Sequence, residues 1–183
     1  MCLVVESGSR VVPNKKVVPK DRKQDVMAVL HAPNVISTLN ELTQICIDGE
    51  KGFAAAAEVV EDMALKEELN GFSAQRRRFT SELQSIVQSQ GEQPAKSGDP
   101  SAAIHRAWLE VRALFTGKDR YAVLAECERG EDAALATYEK ALNASLAAPA
   151  ADVIRAQYLM IKHAHDRVKS LRDAAKAEKD TGR

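Results

Sequence analysis

Aromatic side chains are scarce in this chain, making up 4% of its residues. A β-sandwich or β-barrel core draws on aromatic and β-branched residues, so the scarcity argues against one. Charge of one sign is missing too, with 26 basic and 26 acidic residues. A chain with no net charge has no overall field to draw nucleic acid or an anionic membrane, so no partner of either kind is expected. Cysteine is limited to Cys2, Cys46 and Cys127, with no CxxC or other metal-ligand spacing. An odd number of scattered thiols in a chain of this size reads as reduced cysteine in a cytoplasmic setting. No stretch approaches the ~18 uninterrupted apolar residues of a spanning helix, and the opening MCLVVESGSR lacks an apolar run of signal length. No phosphate-cradling glycine loop, dinucleotide fingerprint or Ser/His/Asp order is present.

What the chain does have is alanine, the best helix former, and apolar residues at helical spacing. Residues 1–33, with Pro13, Pro19 and Pro33, read as an irregular tail with a short helical turn at 24–31. A first helix is predicted from an Asn34 cap, with its buried seam at Leu39, Leu42, Cys46, Gly49, Phe53, Ala56 and Val60. Asp62 caps a second, with seam Leu65, Leu69, Phe72, Arg76, Phe79, Leu83 and Ile86. The glycine- and proline-rich stretch 91–102 ends it. A short helix near 101–115 follows, where His105 and Trp108 would anchor it to the rest. Asp119 caps a third long helix, with seam Leu124, Cys127, Glu131, Ala134, Tyr138 and Ala141. Pro149 suits the first turn of a fourth, with seam Ile154, Gln157, Ile161, Ala164, Val168 and Leu171. Residues 177–183 are expected to be a disordered polar tail.

Two short links and one long one give an all-α architecture: two antiparallel hairpins joined by a crossover at 91–118, within a four-helix bundle at 34–176. An internal echo supports it. Cys46, Gly49 and Glu50 recur 81 positions later as Cys127, Gly130 and Glu131, which makes the first helix equivalent to the third. A glycine in mid-helix costs roughly 1 kcal/mol, so Gly49 and Gly130 are expected to let the first and third helices, or a side chain, approach closely.

The polar exceptions fall at mid-height. Glu131 lies on a seam and Glu50 one residue beside one, and His165 flanks the seam of the fourth helix. Arg76 is its counterpart in the second helix, so each hairpin offers one acid and one base at mid-height, Glu50 with Arg76 and Glu131 with His165, and Arg76 can bridge either glutamate. Glu50, Glu131 and His165 are the candidate metal ligands, and iron or another divalent metal is the cation they would take. The ligand pattern is incomplete. Di-metal bundles add a Glu-x-x-His motif on each of two helices, but Lys162 precedes His165 and Ser73 precedes Arg76. Arg76 keeps its proton and repels cations. A buried polar network of Glu50, Glu131, Arg76 and His165 with no cofactor is therefore the preferred reading. His163 and His165 point to different faces and do not chelate together. Asp48, Glu128 and Asp132 are expected to face solvent, and Cys46 and Cys127 to be inert packing thiols. The RRR run at 76–78 spreads around a turn and forms no basic patch.

The segments LNELTQICIDGEKGF, RRRFTSEL, HRAW, CERGEDAAL, TYEKAL and AHDRVKSLRD, spread over residues 35–174, resemble a bacterial four-helix-bundle family of unknown function in the ferritin-like superfamily. The resemblance implies a ferritin-like bundle and supplies no activity, substrate or catalytic residue. An enzyme is not the expectation. A non-enzymatic structural, stress-related or interaction protein is, compatible with a homodimer. The alternative is a metal-binding or di-iron oxidase relative with a degenerate carboxylate/histidine site.

Overall fold

A computed structural model describes residues 33–95, 119–144, 146 and 148–182. Among them are four α-helices and no strand: α1 (Pro33–Val59), α2 (Met63–Ser89), α3 (Arg120–Leu142) and α4 (Ala148–Thr181). The expected turn at 24–31, the short helix with His105 and Trp108, and Cys2 lie outside the described residues.

Local signals place most helix ends. The Asp62 carboxylate accepts from the Leu65 N–H at 3.1 Å, and Asp119 accepts from Ala122 N–H at 3.3 Å. Each cap satisfies an amide that the first turn leaves open. Gly91 closes α2 at a φ of 77°, which glycine adopts without strain. Two ends differ from expectation. α1 begins at Pro33 rather than after an Asn34 cap, because proline has no N–H to lose in a first turn. α4 runs to Thr181 and is 34 residues long, past position 177 where a tail was expected. Its last turns are held: Ala175 is buried, and Lys179 reaches Asp119 at 2.6 Å and lies over the Tyr121 ring.

Three-residue and five-residue links make α1–α2 and α3–α4 hairpins. Contacts across the hairpins fix the rest. Cys46 meets Tyr138, Glu41 meets Lys140 and Asp62 meets Arg120, so α1 and α3 are antiparallel neighbours. Glu82 meets Gln157 and Glu68 meets Arg167, so α2 and α4 are antiparallel too. It follows that α2 and α3 run in the same direction, and that the end of α2 and the start of α3 lie at opposite ends of the bundle.

The seam positions form two apolar clusters stacked along the bundle. One holds Leu39, Leu42, Phe79, Leu83, Tyr138 and Ile161. The other holds Phe53, Leu65, Leu69, Leu124 and Val168. Each buried aliphatic side chain contributes roughly 1.5–3 kcal/mol. Near the end of α2 the seam shifts from Ile86 to Val87, which is fully buried while Ile86 packs at the margin against Ala150. A 3.6-residue turn drifts against a strict heptad by about this much over three heptads. On every helix the boundary between the two clusters falls at the same height, and the charged residues sit there.

Candidate functional site

Arg76 lies on the buried stripe of α2, between Phe72 and Phe79. No part of its side chain is exposed, and Glu131 on α3 is 2% exposed. Arg76 Nη2 donates to Glu131 Oε2, and Nη1 donates to Gln75 Oε1. The guanidinium carbon is 5.7 Å from the Phe53 ring centre and 5.6 Å from that of Phe79. One ring belongs to each apolar cluster, so the cation is a polar joint flanked by two π faces. Arg76 Nε–H has no partner among the described residues.

Gly49 on α1 explains how Arg76 fits. A Cβ there would stand 3.3 Å from Arg76 Cγ and 3.4 Å from Cδ. The missing side chain is the channel along which the arginine stem crosses α1. Gly130 is different: it is exposed, and a Cβ there would meet nothing within 4 Å. Of the two expectations, a side chain rather than a neighbouring helix comes close, and it does so at Gly49 but not at Gly130. Only Gly49 admits a neighbour, and the neighbour is a side chain of α2.

The other charges follow their position relative to the seam. Glu50 stays at the flank and accepts from Arg77 Nε at 2.7 Å, on a side chain 70% exposed. Ser73 Oγ–H donates to the Glu50 carbonyl, drawing α1 and α2 together. His165 is half-buried. Its Nε2 lies 3.0 Å from Asp132 and its Nδ1 3.1 Å from Asp166. Of the two glutamates open to it, Arg76 therefore pairs with Glu131, and Glu50 pairs with Arg77. The physical reason is simple. Seam residues meet seam residues at the centre, and flanking residues meet flanking residues at the edge.

Among the described residues no three His, Cys, Asp or Glu side chains are grouped so as to hold a metal ion. Glu50, Glu131 and His165 each face a different partner. The Arg76 guanidinium is bonded to Glu131, and its charge opposes a dication there. The residues present do not fit the di-metal centre of a ferritin-like bundle.

Burial lifts the Glu131 carboxyl above the ordinary range, while the Arg76 charge and hydrogen bond, and more weakly His165, pull it back. Burial likewise pushes the Cys46 thiol up to about 11 and the Cys127 thiol up to about 12. Both remain thiols at neutral pH and are poor nucleophiles. Asp48 is partly buried rather than solvent-facing, and Gln44 bonds its carboxylate at 2.9 Å. Glu128 is largely covered by Arg172, whereas Asp132 is exposed. The RRR run divides into one buried and two exposed arginines, and His163 is exposed.

One cluster was missed from sequence. Tyr138 Oη–H donates to Gln157 Oε1 at 2.7 Å, and Gln157 Nε2–H donates to Glu82 at 2.7 Å. The Cys46 sulfur lies 3.1 Å from the same tyrosine oxygen. Gln157 and Tyr138 occupy seam positions, where a buried amide or phenol requires a partner, but the identity of that partner depends on the register between helices.

The family described as Domain of unknown function (DUF2383) matches residues 34–144 of this chain. The chain belongs to that family. No curated protein matches it. The DUF2383 match spans α1, α2 and α3, so Arg76, Glu131 and Gly49 all fall inside it. His165 and Gln157 on α4 fall outside.

The two glycines should respond oppositely to the same change. Gly130→Ala should raise stability by about 0.5–1 kcal/mol through helix propensity alone. Gly49→Ala should gain nothing or lose stability, because the Arg76 stem must give way. Urea denaturation of both variants measures this, and equal gains would remove Gly49 from the account.

Glu131 makes a pH prediction. A carboxyl held above its ordinary value, near 4.5, binds its proton more tightly in the folded state than in the unfolded one. This site's contribution to stability therefore rises as pH falls from neutral toward 4.5. Measured at pH 7 and pH 5, the stability of wild type relative to Glu131→Gln should move in favour of wild type on acidification. Movement the other way would show that the folded state binds the Glu131 proton less tightly than the unfolded one.

Proposed function

We propose that this protein is a ferritin-like four-helix bundle acting as a non-enzymatic structural, stress-related or interaction protein. Its centre is a structural ion pair in the place where metal-bearing bundles keep their cation. The observation that carries the reading is the Arg76 guanidinium bonded to Glu131 between the two apolar clusters. A protein-borne cation neutralises the one carboxylate that reaches the centre, so nothing there is left for a dication to balance. The parallel directions of α2 and α3 agree with a ferritin-like crossover. Among the described residues no helix is long and apolar enough to cross a membrane. The protein would work through its outer helix faces, alone or as a homodimer.

Anaerobic loading with ferrous iron, desalting and metal analysis test the reading. Wild type should retain no stoichiometric iron, zinc or manganese. Stoichiometric metal in wild type that is lost in Glu131→Ala would overturn it in favour of a metal-binding or oxidase bundle.

A further inference from the structure

We propose that the crossover segment, residues 96–118, docks on the outer face of α1 and covers it from Asn40 to Asp62. That face is the row Gln44, Asp48, Lys51 and Ala55, which helical spacing sets opposite the buried seam. The main described neighbours of α1 are α2 and α3. Yet no residue of α1 from Leu42 to Ala57 is exposed. The equivalent outer rows of α2, α3 and α4 are open, as Arg78, Ala136 and His163 show. Burial also raises the Asp48 carboxyl above its ordinary range, against the pull of Gln44 and Lys51.

Described contacts fix both ends of the path. The Ala95 N–H donates to Asn40 Oδ1 at 2.8 Å, and Gln84 Nε2–H donates to the Ala95 carbonyl at 2.9 Å. The chain therefore turns back from the end of α2 onto α1, one turn before Gln44. At the other end Arg120 lies 4.0 Å from Asp62, and Asp119 caps α3 beside it. Residues 96–118 must run from Asn40 to Asp62, roughly 33 Å at the rise of a helix. A largely helical segment of this length covers ~35 Å, which matches the path.

The sequence of the segment supplies a matching surface. Ile104, Trp108, Val111 and Phe115 fall at i, i+4, i+7 and i+11, one apolar stripe at helical spacing. Trp108 stands near the middle of the segment, and Gly52 near the middle of the path along α1. Gly52 and Ala55 carry little side chain at that height, so an indole has room against the α1 backbone. Charge agrees. Lys96, Arg106, Arg112 and Lys118 outweigh Asp99 and Glu110 in the segment, while Glu41, Asp48 and Glu58 outweigh Lys51 on this side of α1.

A second copy of the chain is a weaker candidate for the same face. The crossover is tethered at both ends beside it, which holds it there at high effective concentration without a second molecule. The consequence is that α1 is withdrawn from the surfaces open to a partner, and the outer faces of α2, α3 and α4 remain. That consequence rests on the interaction role proposed above, whereas the docking does not.

Trp108 is the one tryptophan of the chain, so its fluorescence reads the docking. In the full chain its emission should lie to the blue of the urea-unfolded protein. Short-range quenching locates it, in a background of Cys2→Ala and Cys127→Ala where the remaining native thiol, Cys46, is buried. A nitroxide attached at Glu58→Cys on α1 should quench Trp108 several-fold, and the same label at His163→Cys on α4 should leave it nearly unchanged. Ala55→Arg should move the emission toward the unfolded position while the helical circular dichroism is retained. Wild-type emission already at the unfolded position overturns the proposal, as does equal quenching from the two labels or a folded Ala55→Arg with unchanged emission. Blue emission that is lost on dilution, as sedimentation passes from dimer to monomer, assigns the face to a second copy and overturns it too. Should Ala55→Arg not fold, the comparison of the two labels decides.

Discussion

A charge removed from water must be neutralised where it lies, and in this bundle one arginine imposes that condition on all its neighbours. Arg76 cannot shed its proton, so a position on the buried stripe of α2 commits the centre to an anion. Glu131 is that anion, reached across the interior from α3. Gly49 is the opening through which the stem passes. Phe53 and Phe79 are the faces that flank the cation. Four features that look unrelated along the chain thus answer one electrostatic requirement.

A second layer lies beside the first. Tyr138 and Gln157 link α3 to α4, Gln157 reaches α2 through Glu82, and Cys46 adds α1. Apolar contacts between helices tolerate sliding, since one aliphatic side chain fits nearly as well as another. Directed polar contacts do not, because a slip by one turn strands a buried donor or acceptor. The two layers therefore select helix order and register, and the two apolar clusters supply the bulk of the stability.

Much of the fold was legible because it rests on local signals and a regular period. Asp62 and Asp119 cap where their residue types predict, and the four seams name most of the buried core. The site was only partly legible. Arg76 and Glu131 stood out as charges on apolar stripes, but the analogy between hairpins left open which glutamate Arg76 meets. The duplication behind that analogy is not obeyed by the side chains: Gly49 is filled by Arg76 whereas Gly130 faces solvent. Sorting charges by seam and flank would have paired them correctly. The Tyr138–Gln157–Glu82 chain was not legible, because it requires the mutual register of three helices, which the spacing within any one of them does not contain. The end of α4 was misjudged for a related reason. Its polar composition reads as a tail, and its order comes from Asp119 and Tyr121, some 60 residues away in sequence.

The most direct measurement is a double-mutant cycle on the central pair, with Arg76→Met, Glu131→Leu and the two combined, followed by urea denaturation. An obligatory buried pair predicts that each single change costs about 3–5 kcal/mol, because it strands the other charge, and that the double variant is close to wild type or more stable. The coupling is then large and favourable. Additive single effects, or a double variant worse than either single one, would contradict the claim that this ion pair organises the bundle.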